Sequence, residues 1–109
     1  MIYEIRTYWA AEGKLEQLHD RFRNVTLGVF KRHQMQVVGF WTPAPSTPET
    51  GDLVYILGFA SEEAKIAAWN AFREDPLWIE GRAASEKDGK LVEKLTSVLL
   101  QPTDYSPLQ

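Results

Sequence analysis

The sequence predicts an α+β domain of ferredoxin-like order, βαββαβ, in which a four-stranded antiparallel sheet carries its helices on one side. Three observations lead there. Ile2 to Trp9 is rich in aromatic and β-branched types that suit a pleated surface. From Leu15 to Phe30 the apolar residues recur at helical spacing along one stripe. The remaining strand and helix patterns then follow in the order that the split βαβ arrangement uses.

Taken in order, the first strand sends Ile2, Glu4, Arg6 and Tyr8 to one face and Tyr3, Ile5, Thr7 and Trp9 to the other. A helix begins at Lys14 and runs to about His33. Leu15, Leu18, Phe22, Val25, Val29 and Phe30 fall within an arc about 140° wide, and Lys31, Arg32 and His33 complement its negative pole. Gln36 to Thr42 reads as the second strand, closed by three prolines between Pro43 and Pro48. The third strand, Asp52 to Ala60, is apolar on both faces.

Ser61 is a good N-cap for a second helix reaching about Arg73, with Glu62 and Glu63 in its first turn. Its alanine face (Ala64, Ala67, Ala68, Ala71) is expected to approach the sheet. Trp69 lies on the side away from it with Ile66 and Arg73, an aromatic patch that needs a cover from Tyr105–Leu108 or from a partner subunit. Asp75-Pro76 reads as an N-cap with proline at N1, opening a short helix through Leu77, Trp78 and Ile79. After the turn at 87–90, Leu91 to Gln101 forms the last strand.

The 109 residues point to one domain over 1–109 with a short mixed tail at 103–109. Two helices cover one face of a sheet, whereas the third strand is apolar on both. The second face therefore needs a cover of its own. A second copy of the same sheet is the simplest one, giving a homodimer joined through the sheet face, a dimeric α/β barrel.

Composition narrows the chemistry. The absence of cysteine excludes disulfides, thiol nucleophiles and iron–sulfur ligation. A net charge of −3 with interspersed signs argues against nucleic acid as a partner. The longest apolar run, Leu53 to Ala60, is far short of the ~20 residues a spanning helix needs, so no membrane role is expected. Met1 leads directly into a strand rather than a signal segment, and a cytoplasmic location is the expectation.

Ile2-Tyr3-Glu4-Ile5-Arg6-Thr7-Tyr8, Gly13-Lys14-Leu15, Val38-Gly39-Phe40-Trp41-Thr42, Asp75-Pro76-Leu77-Trp78 and Leu99 to Leu108 together resemble NIPSNAP domains across nearly the whole chain. The proline-rich 43–51 stretch departs from that pattern. The resemblance implies the dimeric α/β-barrel superfamily, but it assigns no catalytic residues. Relatives in that superfamily include cofactor-independent monooxygenases and haem-degrading enzymes, with pockets between helices and sheet.

Among candidate site residues, His19 and His33 are about 21 Å apart along one helix and cannot share a metal. His19 falls inside the apolar arc, where an imidazole could serve a pocket or simply bond a carbonyl. His33 is explained by the helix C-terminus. Glu4, Arg6 and Tyr8 share a face of a central strand. They form either a structural ion pair or a site where Arg6 and Tyr8 bind an anionic or phenolic ligand. No nucleophile elbow, glycine-rich phosphate loop or cofactor domain is present, so no cofactor is expected. Two functions remain. One is a small-molecule binder or cofactor-independent, monooxygenase-like enzyme acting on a hydrophobic or aromatic metabolite. The other is a non-catalytic interaction or scaffold module. A cavity between helices and sheet favours the first, and a filled interface the second.

Overall fold

A computed structural model describes residues 1–109. β1 (Ile2–Ala10) is followed by α1, which is α-helical over Leu15–Arg21, makes one π turn at Phe22–Thr26 and returns to α-helix over Leu27–Arg32. β2 (Gln36–Trp41) and β3 (Leu53–Phe59) come next, then α2 (Glu62–Glu74), α3 (Pro76–Ser85) and β4 (Val92–Leu100). The sheet order is β2-β3-β1-β4, antiparallel throughout. This is the ferredoxin-like arrangement that the sequence order predicts, with β1 and β3 central. No helix is long and apolar enough to cross a membrane.

The helices cover one face of the sheet. Tyr8, Leu53, Tyr55, Leu57 and Phe59 on that face are buried against Leu18, Phe22, Val29 and Phe30 of α1 and Trp69 and Phe72 of α2. Apolar burial on this scale stabilises by roughly 1.5–3 kcal/mol per large side chain. The opposite face is open: Ile5, Val54 and Ile56 are half-buried, while Trp41, Val98 and Leu100 are exposed. Trp41 folds its ring over Gly39, where a Cβ would come within 2.7 Å of it.

The second helix turns differently from the expectation. Trp69 faces the sheet and is buried with Phe72, and Ala68 of the alanine face packs beside them, whereas Ala67 is exposed. The two aromatic rings fill most of the space between α2 and the sheet, packing against Phe30. Trp69 therefore needs no cover from the tail. Tyr105 is 84% exposed, and the tail instead returns to the open face, where the backbone oxygen of Gln109 accepts from the Tyr3 hydroxyl.

α3 also runs further than its expected end at Ile79. Gly81 has a low helix propensity, yet here it is a contact. A Cβ at Gly81 would lie 2.5 Å from Val25 Cγ1, so only glycine lets α3 close against α1 at this point. Both caps of the helical pair form as expected: Ser61 Oγ accepts from Ala64 N, and Asp75 Oδ1 accepts from Leu77 N.

Candidate functional site

Between the three helices and the sheet lies a cavity of about 510 Å³. Tyr8 and Tyr55 contribute from the sheet, Phe22 and Phe30 from α1, and Trp69 and Trp78 from α2 and α3. The π turn is part of the wall. A π turn adds one residue to the ring of backbone bonds and shifts the helical phase, and Phe22 and Thr26 at its two ends are both buried and both line the cavity.

Beneath the cavity a polar network ties β1 to its neighbours. Glu4 Oε2 accepts from Arg6 Nη1 at 3.0 Å and from the Ser97 hydroxyl, while Glu4 Oε1 accepts from Trp69 Nε1 at 2.8 Å. Burial alone would raise the Glu4 carboxyl, but the hydrogen bonds from Ser97 and Trp69 and the charge of Arg6 hold it below its ordinary value. Arg6 also donates to the Tyr8 hydroxyl, through Nε at 3.3 Å and Nη2 at 3.2 Å, and lies 4.3 Å from the Trp69 ring. The Tyr8 and Tyr55 hydroxyls share a hydrogen bond of 2.8 Å. Burial, the first cause, keeps the Tyr55 phenol protonated well above its usual range.

The rim is cationic. Arg6, Arg21, Arg73, Arg82 and Lys90 line the cavity against one carboxylate, Glu86. Arg21 is buried beneath α3, its guanidinium 5.1 Å from the Trp78 ring. Its Nη1 donates to Glu86 Oε2 at 2.9 Å and to Ser85 Oγ at 3.2 Å, but its buried Nε has no acceptor. Arg82 Nε reaches the same Glu86 oxygen at 3.4 Å. Burial would raise the Glu86 carboxyl; the Arg21 hydrogen bond and the two guanidinium charges bring it below the ordinary value.

Of the residues singled out from sequence, Glu4, Arg6, Tyr8 and Trp69 are brought together, with Arg6, Tyr8 and Trp69 on the cavity wall. His19 is half-buried on α1 and is not part of the lining. His33 Nε2 donates to Asp75 Oδ2 at 2.8 Å, outside the cavity. No three His, Asp or Glu side chains gather where they could hold a metal ion. Arg21 and Glu86 escape a sequence reading that ends α3 at Ile79. A longer α3 would have put Trp78, Arg82 and Glu86, spaced i, i+4 and i+8, on one stripe.

Comparison with known proteins places this geometry. Residues 3–107 match the NIPSNAP family model. The solved structure of protein Atu4242 from Agrobacterium tumefaciens superposes with a TM-score of 0.81 at 24% identity, covering 100% of both chains. An uncharacterised NIPSNAP domain protein from Burkholderia xenovorans gives 0.80 at 23% identity, over 98% of this chain and 99% of that one. MhuD, solved as a variant with two manganese protoporphyrin IX molecules per active site, shares the fold more distantly, with a TM-score of 0.62 at 15% identity over 94% of each chain. Among proteins of curated function, none matches the chain.

Proposed function

The chain belongs to the NIPSNAP family, a family of unknown function, and from that premise we propose that it binds a small hydrophobic or aromatic molecule in the cavity between the helices and the sheet. The observation that carries this reading is the cavity itself. A space of about 510 Å³, walled by aromatic rings and edged by a few polar groups, is of the size and character of ligand sites. A scaffold would have filled that interface with side chains.

Binding is better supported than oxidation. No imidazole lines the cavity, and Tyr55 is held protonated. The Glu4 carboxylate is committed to Arg6, Ser97 and Trp69, and that of Glu86 to Arg21 and Arg82. No side chain is thereby left free to act as a base towards a bound substrate. The porphyrin of MhuD does not transfer either. The wall offers neither histidine nor cysteine as an axial donor, and a protonated buried phenol is a poor one.

The open sheet face suits a second copy of the chain. Ile5, Val54, Ile56, Trp41, Val98 and Leu100 present a continuous apolar surface on the side opposite the cavity. A homodimer joined there leaves the cavity of each subunit accessible.

Native mass spectrometry of protein purified without added ligand tests the binding reading. A small organic molecule retained in the folded state and lost on Trp69→Ala or Phe30→Ala supports it. A ligand-free spectrum, together with unchanged tryptophan fluorescence across a panel of aromatic compounds, contradicts it.

A further inference from the structure

The rim of the cavity says more about the ligand than its walls do. The whole chain carries a net charge of −3, yet the cavity is lined by five cationic side chains and one carboxylate. Such a local reversal of sign focuses a positive potential into a low-dielectric cleft. Arg6 is the better satisfied of the buried guanidiniums, since three of its five N–H groups go to Glu4 and Tyr8, one each from Nη1, Nε and Nη2. Lys90 pairs with Glu93 at 3.1 Å on the surface.

The buried nitrogen with no partner at all is at the other end. Arg21 and Arg82 converge on a single oxygen, Glu86 Oε2, and the buried Arg21 Nε finds no acceptor. A guanidinium presents five donors in a fixed fork, matched by a two-oxygen partner. One shared oxygen leaves that fork half used. Arg73 has no carboxylate partner and makes a 3.4 Å contact with Asn70 Oδ1. Glu86 sits at the C-cap of α3 with its side chain 23% exposed, so it can rotate outward without breaking the helix.

We propose that the bound molecule carries an oxyanion, a carboxylate or a phosphate, which seats on Arg21 and Arg82 in the place Glu86 now fills, with its aromatic part against Trp78 and Phe72. This rests on the binding reading above and names the ligand class for that site. Glu86 acts as a resident stand-in: it keeps the two guanidiniums paired in the empty cavity and gives way to a better-shaped anion. The rings of Phe72 and Trp78, 4.7 Å apart between centroids and tilted by 42°, supply the aromatic surface beside it.

Three probes of one shape separate the possibilities: 2-naphthoate, 2-naphthyl phosphate and the neutral 2-naphthalenemethanol, titrated against tryptophan fluorescence and by calorimetry. At least one anion is expected to bind about tenfold or more tightly than the alcohol, the scale of a charge-assisted hydrogen bond. The preference between the two anions identifies the oxyanion. Arg82→Gln, on an exposed stretch of α3, is expected to weaken the anion about tenfold and leave the alcohol unchanged, whereas Glu86→Gln tightens the anion severalfold. Equal binding of alcohol and anions, or anion affinities indifferent to both variants, overturns the oxyanion proposal while the cavity reading stands. Binding of none of the three overturns the cavity reading and the proposal with it.

Discussion

Trp69 donates its indole hydrogen to Glu4 Oε1 at 2.8 Å, joining α2 to the central strand across 65 residues of sequence. The bond does two things. It satisfies a buried carboxylate, and it fixes an aromatic ring of the cavity wall. Glu4→Gln keeps the shape but leaves Arg6, 12% exposed at its side chain, without a counter-charge. Leaving one partner of a buried pair uncompensated costs about 3 kcal/mol. Urea denaturation at neutral pH should read that loss, and Arg6→Met in the same chain should recover a good part of it. The folded-state value of the Glu4 carboxyl lies below its unfolded one. Its contribution is therefore complete above about pH 4.5 and fades as pH falls through the folded value. The Glu4→Gln protein lacks that part of the acid dependence.

Asp75 gives a second pH dependence. Its carboxylate accepts from Arg32 Nε at 2.9 Å, pairs with His33 Nε2 and caps α3 at Leu77 N. The Arg32 hydrogen bond first, then the backbone bond, pull it down to about 2. Stability from this group is present above its unfolded value near 3.8 and is lost as pH falls toward 2. Thermal unfolding from pH 5 down to 2.5 should therefore be less steep in Asp75→Asn than in the parent, with a lower Tm at pH 5. Parallel curves would contradict the assignment.

Two glycines separate contact from propensity. Gly81→Ala would press a methyl group to 2.5 Å from Val25 Cγ1, and such overpacking costs about 1–3 kcal/mol. Gly28, also helical, has nothing within 4 Å of the position an added methyl would take, so Gly28→Ala should stabilise by about 0.5–1 kcal/mol. Val25→Ala should suppress the Gly81→Ala penalty and leave the Gly28→Ala gain untouched. Urea denaturation of the two single variants and the Val25 double variants reads all three effects.

The two faces of β3 predict opposite outcomes for charge. Tyr55 is fully buried, so Tyr55→Arg should unfold the chain. Ile56 is half-buried on the open face, so Ile56→Arg should leave a folded subunit that fails to pair. Equilibrium sedimentation at micromolar concentration should give a parent species near twice 12.5 kDa and an Ile56→Arg species near that mass itself. A folded parent monomer would contradict the pairing.

The strands and their order are legible because each carries a local signal: Ile2 to Trp9 is rich in aromatic and β-branched types, and Leu53 to Phe59 is a short continuous apolar run. The polar members of the first strand are legible as well, since Glu4 and Arg6 are conspicuous in a central strand. What stays hidden depends on tertiary contact. The length of α3 depends on Gly81 meeting Val25, and the burial of Arg21 on α3 being long enough to cover it. The orientation of α2 escapes the sequence because an alanine face looks like a packing face until the width of the gap is known. Trp69 and Phe72 fill that gap, with Ala68 packed beside them.

The four tryptophans test the central claim in one experiment. Trp69 and Trp78 line the cavity, while Trp9 and Trp41 lie on the opposite face of the sheet, Trp9 bonded to the Pro48 carbonyl. Their indole N–H signals in a proton–nitrogen correlation spectrum report each side separately. Titration with 2-naphthoate should shift the Trp69 and Trp78 signals and leave those of Trp9 and Trp41 in place. Shifts confined to Trp9 and Trp41 would put the ligand on the open face and contradict the account.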